Sequence, residues 1–232
     1  MVPRHILGTF DEALAGLRNN VLMMASLTTR SLNNALTGLS QRDDDLCVTA
    51  IADDEEIDQL EKQVDKDGIE LLLRFQPVAS DLRRVVSAMK LSSNLERMGD
   101  QAVSIARKAR KLNQHPALPE VALIDPMREL GMKMFQDSVD AFVREDVELG
   151  RGLKARDKAL DELNSQVSRK LIERMAQDPD QLRGYLNLMF IARHLERVGD
   201  HATNIAEDAV FAAAAEDIRH QTLTPVSSAA TG

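Results

Sequence analysis

The sequence predicts an all-α protein built as two tandem antiparallel three-helix bundles, and three observations carry that prediction. The seven prolines, Pro3, Pro77, Pro116, Pro119, Pro126, Pro179 and Pro225, gather at a few places and leave long stretches rich in Ala, Leu, Arg, Glu, Lys and Met, the residues that favour helix. Aromatic residues make up 3% of the chain and tryptophan is missing, which argues against a turn-rich β-sandwich and against a stacking platform for single-stranded nucleic acid. The run Leu-Glu-Arg-Met-Gly-Asp at 95–100 returns as Leu-Glu-Arg-Val-Gly-Asp at 195–200, and over 95–106 and 195–206 eight of twelve positions are identical. Chance matching would give about one, so a three-helix unit has been duplicated at an offset of about 100 residues.

Six helices follow, at about 4–38, 44–75, 79–113, 120–149, 153–177 and 180–215, with ends placed to within a few residues. The first carries an apolar stripe through Phe10, Leu14, Leu17, Val21 and Met24. The third shows the bundle spacing most cleanly, at Leu91, Leu95, Met98, Ala102, Ile105, Ala109 and Leu112, and the sixth repeats it at Ile191, Leu195, Val198, Ala202, Ile205, Ala209 and Ala212. Two boundaries lack proline and are read from glycine, at Gly38 to Asp45 and at Gly150 to Gly152. The first unit is placed at 1–115 and the second at 116–220, in series across the proline-rich segment, with a polar and disordered tail over 221–232.

Composition excludes several functions. The net charge of −8 leaves no basic excess for binding nucleic acid. One cysteine, Cys47, rules out an intramolecular disulfide and Cys-based zinc or iron–sulfur sites, and is read as a buried or half-buried small residue. No apolar run approaches a membrane span and no secretory leader is legible, so the chain is expected to be soluble and cytoplasmic. Phosphate-binding loop, dinucleotide fingerprint, nucleophile elbow and His-Glu-x-x-His are all missing, and an enzyme is not expected.

The chemistry lies in carboxylates. Asp54 with Asp58, Glu96 with Asp100, Asp157 with Asp161, and Glu196 with Asp200 are each four residues apart, a spacing that puts both acids on one helix face. A single pair is ordinary solvated surface. The hairpins make these pairs unusual: Asp54 and Asp100, like Asp58 and Glu96, are equidistant from Pro77, while Asp157 and Asp200, like Asp161 and Glu196, are equidistant from the Asp178–Pro179 junction. Residues equidistant from an antiparallel turn lie at one height, so each repeat brings four carboxylates together in an outer groove off the apolar stripe. Their repulsion calls for a cation, and an all-oxygen set suits Mg²⁺, Mn²⁺ or iron better than Zn²⁺.

Gly99 and Gly199 interrupt good helices at the same repeat position, as close-approach points beside the acids or as inherited drift. Arg97 and Arg197 are read as surface ion-pair partners or as holders of a partner's carboxylate. His194 and His201 stand beside the second cluster as candidate supplementary ligands, although their repeat-one counterparts, Asn94 and Gln101, are not metal-type residues.

These residues resemble the PhoU family of phosphate-uptake regulators. The likeness runs from about His5 to Phe211 and rests on Gln76-Pro77-Val78-Ala79-Ser80-Asp81-Leu82-Arg83 and on the doubled Leu-Glu-Arg-x-Gly-Asp. The resemblance implies two three-helix bundles, a homodimer, and cytoplasmic negative regulation of the phosphate-starvation response. It further implies an adaptor that couples the high-affinity phosphate ABC transporter, through its ATPase subunit, to a sensor histidine kinase, so that the membrane is met only through partners. The family's metal-cluster motifs fall on the same eight acids. Two departures stand out: Ser104 occupies a position usually held by Asn, as by Asn204 in repeat two, and the turn at Gln177-Asp178-Pro179-Asp180 lacks the fuller repeat-one form. The other readings are a metal-binding or storage protein and a plain helical scaffold.

Overall fold

One aspartate starts the middle helix of each repeat. Asp43 Oδ1 accepts from the backbone N–H of Asp45 (2.9 Å) and Leu46 (3.1 Å), and Asp146 Oδ1 accepts from that of Leu149 (3.0 Å), satisfying donors that a helix N-terminus leaves over. The residue before each aspartate turns the chain through the left-handed region, Arg42 at φ 58° and Glu145 at φ 54°. The computed structural model describes residues 4–219; the tail expected at 221–232 lies outside them. The helices are α1 (Arg4–Gln41), α2 (Asp44–Phe75), α3 (Ala79–Asn113), α4 (Asp125–Arg144), α5 (Val147–Gln177) and α6 (Leu182–Ala214), with short 3-10 turns at Pro119–Ile124 and Pro179–Gln181 and no strand among the described residues.

The first glycine-marked boundary holds, since the chain breaks at Arg42–Asp43, within Gly38 to Asp45, and the second is corrected. The α4–α5 break falls at Glu145–Asp146, and Gly150 and Gly152 lie inside α5. A Cβ on Gly150 would stand 2.7 Å from Val210 Cγ2 and 3.2 Å from the Ala206 carbonyl, so this glycine lets α5 touch the α6 backbone. Gly38 lies in the last turn of α1, where a Cβ would stand 2.8 Å from the Asp43 carbonyl and collide with the Cys47 thiol. Cys47 is fully buried there. Residues 119–124 wind as 3-10 turn rather than α-helix, and α4 starts at Asp125 with Pro126 in its first turn, the one place where a missing N–H costs nothing.

Helices α1–α3 pack together, as do α4–α6. The stripe from Leu91 to Ala109 and its counterpart from Ile191 to Ala209 are buried in the core, each large side chain contributing about 1.5–3 kcal/mol. Both repeats tie the first helix to the second with an ion pair of opposite polarity. Arg30 on α1 meets Asp53 on α2 at 2.8 Å, whereas Asp137 on α4 accepts from Arg156 on α5. Burial pushes the Asp137 carboxyl up, but hydrogen bonds from Lys133 and Arg156 outweigh it and hold the group below its ordinary value.

The bundles are consecutive in sequence but side by side in space, because α3 also packs along α6. That seam is polar. His194 Nδ1 lies 2.8 Å from Gln101 Oε1, His201 Nδ1 lies 3.1 Å from Asn94 Oδ1, and Lys90 Nζ lies 2.9 Å from Asp208 Oδ1. Since 94 and 101 are the repeat counterparts of 194 and 201, the imidazole–amide contact occurs twice about a local two-fold axis at the level of Arg97 and Arg197. Among the described residues, no helix is long and apolar enough to cross a membrane.

Candidate functional site

The antiparallel α2–α3 and α5–α6 hairpins place the eight acids as the sequence spacing requires. Asp54 is acted on by Asp58 and Asp100, and Glu96 by Asp100 and Asp58. In the second repeat Asp157 is acted on by Asp200 and Asp161, and Glu196 by Asp200 and Asp161. Glycine at 99 and 199 allows this approach. A Cβ on Gly99 would stand 3.2 Å from Ile57 Cδ1 and 3.6 Å from Asp54 Oδ1, and one on Gly199 would strike Leu160 and stand 3.7 Å from Asp157 Oδ1. Both are close-approach points beside the carboxylates.

The groove is less uniformly open than its phase on the helices predicts. Asp100, Asp161 and Asp200 are exposed and Asp54, Asp58, Glu96 and Asp157 half-buried, but Glu196 is buried at 7% exposure. Burial is the main reason that the Glu96 carboxyl is raised to about 7, with Asp100, Glu61 and Asp58 adding to it and Arg97 opposing. Burial likewise raises Asp157 to about 6, helped by Asp200 and Asp161 and opposed by the Thr203 hydroxyl. Glu196 Oε1 accepts from Arg193 while its Oε2 is buried without a hydrogen-bond partner among the described residues. A carboxylate oxygen so placed favours protonation or a cation. Carboxylate oxygens alone fit a hard ion in donor chemistry. Among the described residues, however, no three His, Cys, Asp or Glu side chains are placed to hold one ion together.

Two acids escaped the sequence reading. Glu61 joins the first cluster, facing Glu96, Asp58 and Asp65; its signal was its position three residues after Asp58 on the same face. Glu207 joins the second beside Asp157, where its repeat counterpart Arg107 instead faces Asp54. The clusters therefore differ in charge although their core motif is duplicated.

The histidines are a correction. His194 and His201 belong to the α3–α6 seam, on Gln101 and Asn94, and not to the second carboxylate cluster. Burial lowers both, with Arg197 and Lys108 acting on His194, and Arg97 and Arg197 on His201. A histidine held below its ordinary 6.5 takes its proton more readily when unfolded, so its effect on stability is nil well above pH 6.5 and grows unfavourable as pH falls below that value. Thermal unfolding from pH 7 to pH 5 is expected to show a smaller acid-induced loss for H194N/H201N than for the parent; equal losses would mean the rings titrate freely. Arg97 and Arg197 are exposed, and both act on glutamates of the clusters, Arg97 on Glu96 and Arg197 on Glu196.

Comparison with known proteins places this duplicated architecture. The PhoU domain model matches residues 21–109 and 124–209, one copy in each bundle. A Pseudomonas aeruginosa protein described as a phosphate-specific transport system accessory protein PhoU homolog is 35% identical over 223 residues, covering 95% of this chain and 91% of the relative. A homolog of the same description from Caulobacter vibrioides is 34% identical, covering 94% and 95%. The crystal structure of PhoU from Pseudomonas aeruginosa superposes with a TM-score of 0.85 at 34% identity, covering 88% of this chain and 98% of that one. The phosphate transport system regulatory protein PhoU from Streptococcus pneumoniae gives 0.82 at 27% identity, covering 90% and 99%. With one domain match in each half and relatives aligned over nearly their whole length, the chain belongs to the PhoU family.

Proposed function

We propose that this chain restrains the phosphate-starvation response as a cytoplasmic adaptor, coupling a high-affinity phosphate ABC transporter, through its ATPase subunit, to a membrane sensor histidine kinase. The observation that carries the reading is the family match across both bundles, together with relatives named as accessory proteins of the phosphate-specific transport system. Long helices with exposed arginines beside acidic grooves suit docking better than turnover. In this reading the chain works as a homodimer, regulates rather than catalyses, and reaches the membrane only through its partners.

The carboxylate clusters are proposed as cation sites, Asp54, Asp58, Glu96 and Asp100 in the first bundle and Asp157, Asp161, Glu196 and Asp200 in the second. Support comes from the like charges facing one another and from the orphaned Glu196 oxygen. A bound Mg²⁺, Mn²⁺ or iron ion would supply positive charge between two helices; Zn²⁺ suits the oxygen set less well. The same features favour a metal store as the second reading, and metal that survives purification in stoichiometric amount, with no effect on signalling, would select it.

A phosphate-starvation reporter such as alkaline phosphatase, measured in phosphate-rich medium with and without the gene, tests the adaptor. Constitutive expression on deletion, reversed by the intact gene, is expected. An unchanged reporter in a strain without a paralogue would contradict it.

A further inference from the structure

We propose that the N-terminal half of α6 and the C-terminal end of α3 form a docking surface for an acidic amphipathic helix of a partner protein. Three large apolar residues stand exposed four residues apart on α6, Leu182 at 43%, Leu186 at 38% and Phe190 at 49%. That spacing aligns them as one stripe along the helix. The antiparallel neighbour is the basic end of α3: Leu112 packs beneath α6 at Gly184, and Lys108 Nζ sits 4.4 Å from the centre of the Phe190 ring. Lys111 is exposed on the same end of α3, three residues on from Lys108. The Phe190 end of the apolar stripe is thus bordered by cations, in a chain whose net charge is −8.

The local two-fold axis supplies an internal comparison. The positions equivalent to Phe190 and Lys108 are Lys90 and Asp208, which form an ion pair at 2.9 Å. One end of the seam therefore neutralises its own charge. At the other end phenylalanine replaces the lysine and lysine replaces the aspartate, so the cation meets an aromatic face and no ion pair is made by Lys108 among the described residues. Exposed leucines and a phenylalanine at helical spacing accept the apolar face of an incoming helix, and the adjacent cations select acidic flanks. An extended anionic surface, a bilayer or nucleic acid, would in addition meet the exposed Asp200 and the repulsion of the whole chain. A peptide helix contacts only the stripe and its border.

This inference deepens the adaptor reading and rests on it only for the partner's identity; a binding assay with purified components probes the surface without phosphate signalling, so either can fail alone. The probe is a synthetic helical peptide of about twenty residues with leucines every fourth position on one face and glutamates elsewhere, compared with the same peptide carrying lysines for glutamates. Fluorescence anisotropy with the full chain should show the acidic peptide binding at least about tenfold tighter, with affinity falling at high salt. Phe190→Ser and Lys108→Glu should each weaken it about tenfold with unchanged far-UV circular dichroism, whereas Leu73→Ser, exposed at the distant α2–α3 tip, should leave it intact. Equal binding of both peptides, or indifference to Phe190 and Lys108, overturns the proposal. So would Phe190-dependent capture of phosphatidylserine vesicles in place of the peptide, or self-association that Phe190→Ser abolishes, since each names a different occupant.

Discussion

Neutralising Glu96, Asp100, Glu196 and Asp200 together, as E96Q/D100N/E196Q/D200N, is expected to remove cation binding while leaving helicity intact and raising the melting temperature of the cation-free protein. Three of the four lie at half-buried or exposed positions off the apolar stripes, and the fourth, Glu196, has one buried oxygen with no donor facing it among the described residues. The sign follows from linkage. Glu96 is raised from the ordinary 4.5 to about 7, chiefly by burial and then by Asp100, Glu61 and Asp58. The folded protein thus holds that proton more tightly, so the stabilisation is complete below pH 4.5 and is lost as pH rises through about 7. Asp157, raised from 3.8 to about 6, follows the same course at lower pH. At pH 8 in chelator the parent carries the full repulsion and the variant does not, a difference that solvent screening limits to about 1 kcal/mol, or roughly 2–4 °C for a chain of this size. Scanning calorimetry at pH 5 and pH 8 measures it. A fall of many degrees in the variant would show that these acids hold the helices together rather than strain them.

The second large effect is expected at Gly150. Valine there must displace the Val210 side chain and the Ala206 carbonyl from the α5–α6 crossing, and one of those obstacles is backbone. Overpacking of this kind costs about 3 kcal/mol, roughly 6–12 °C. Gly152, two residues on, is exposed, and a Cβ added there would meet nothing within 4 Å, so Gly152→Ala should stabilise by up to about 1 kcal/mol through helix propensity alone. Denaturant unfolding of the two variants separates a glycine required by contact from one that is merely tolerated. Equal and small effects at both positions would mean that α5 and α6 are less closely packed than the crossing implies.

Gly150 also shows how the sequence misleads. Read alone, a glycine in a proline-free stretch looks like a helix end. The duplication held the better signal: Asp146 is the repeat counterpart of the cap Asp43, and Gly150 that of Cys47. In repeat one the small partner is Gly38, packed on Cys47; in repeat two Gly150 faces Ala141, so the same crossing is filled by exchanging which helix is small. The apolar stripes of α3 and α6 were legible because period 3.6 reports burial directly. The seam between the bundles was not, because its contacts run through Asn94, Gln101, His194 and His201, polar residues that periodicity assigns to solvent. That is also why two histidines next to acidic residues in sequence were expected at the carboxylates and stand at the seam.

The carboxylate levels were legible for a different reason. Equidistance from a hairpin turn is a property of position, independent of residue type, and it brought Asp54, Asp58, Glu96 and Asp100 together, with their counterparts in the second bundle. It did not include Glu61, one turn beyond Asp58, or Glu207, two turns beyond Asp200, neither of which has an acidic counterpart in the other repeat.

Titration of the chelator-treated protein with Mn²⁺, following free ion by electron paramagnetic resonance, tests most directly whether the duplicated hairpins form two cation sites. The expected result is saturable binding that weakens as pH falls below about 7, where protons compete at Glu96. The first-repeat variant E96Q/D100N should lose one part of that capacity, E196Q/D200N the other, and the fourfold variant all of it. Capacity unchanged in the fourfold variant, or no binding by the parent protein, would contradict the assignment of these acids as cation sites.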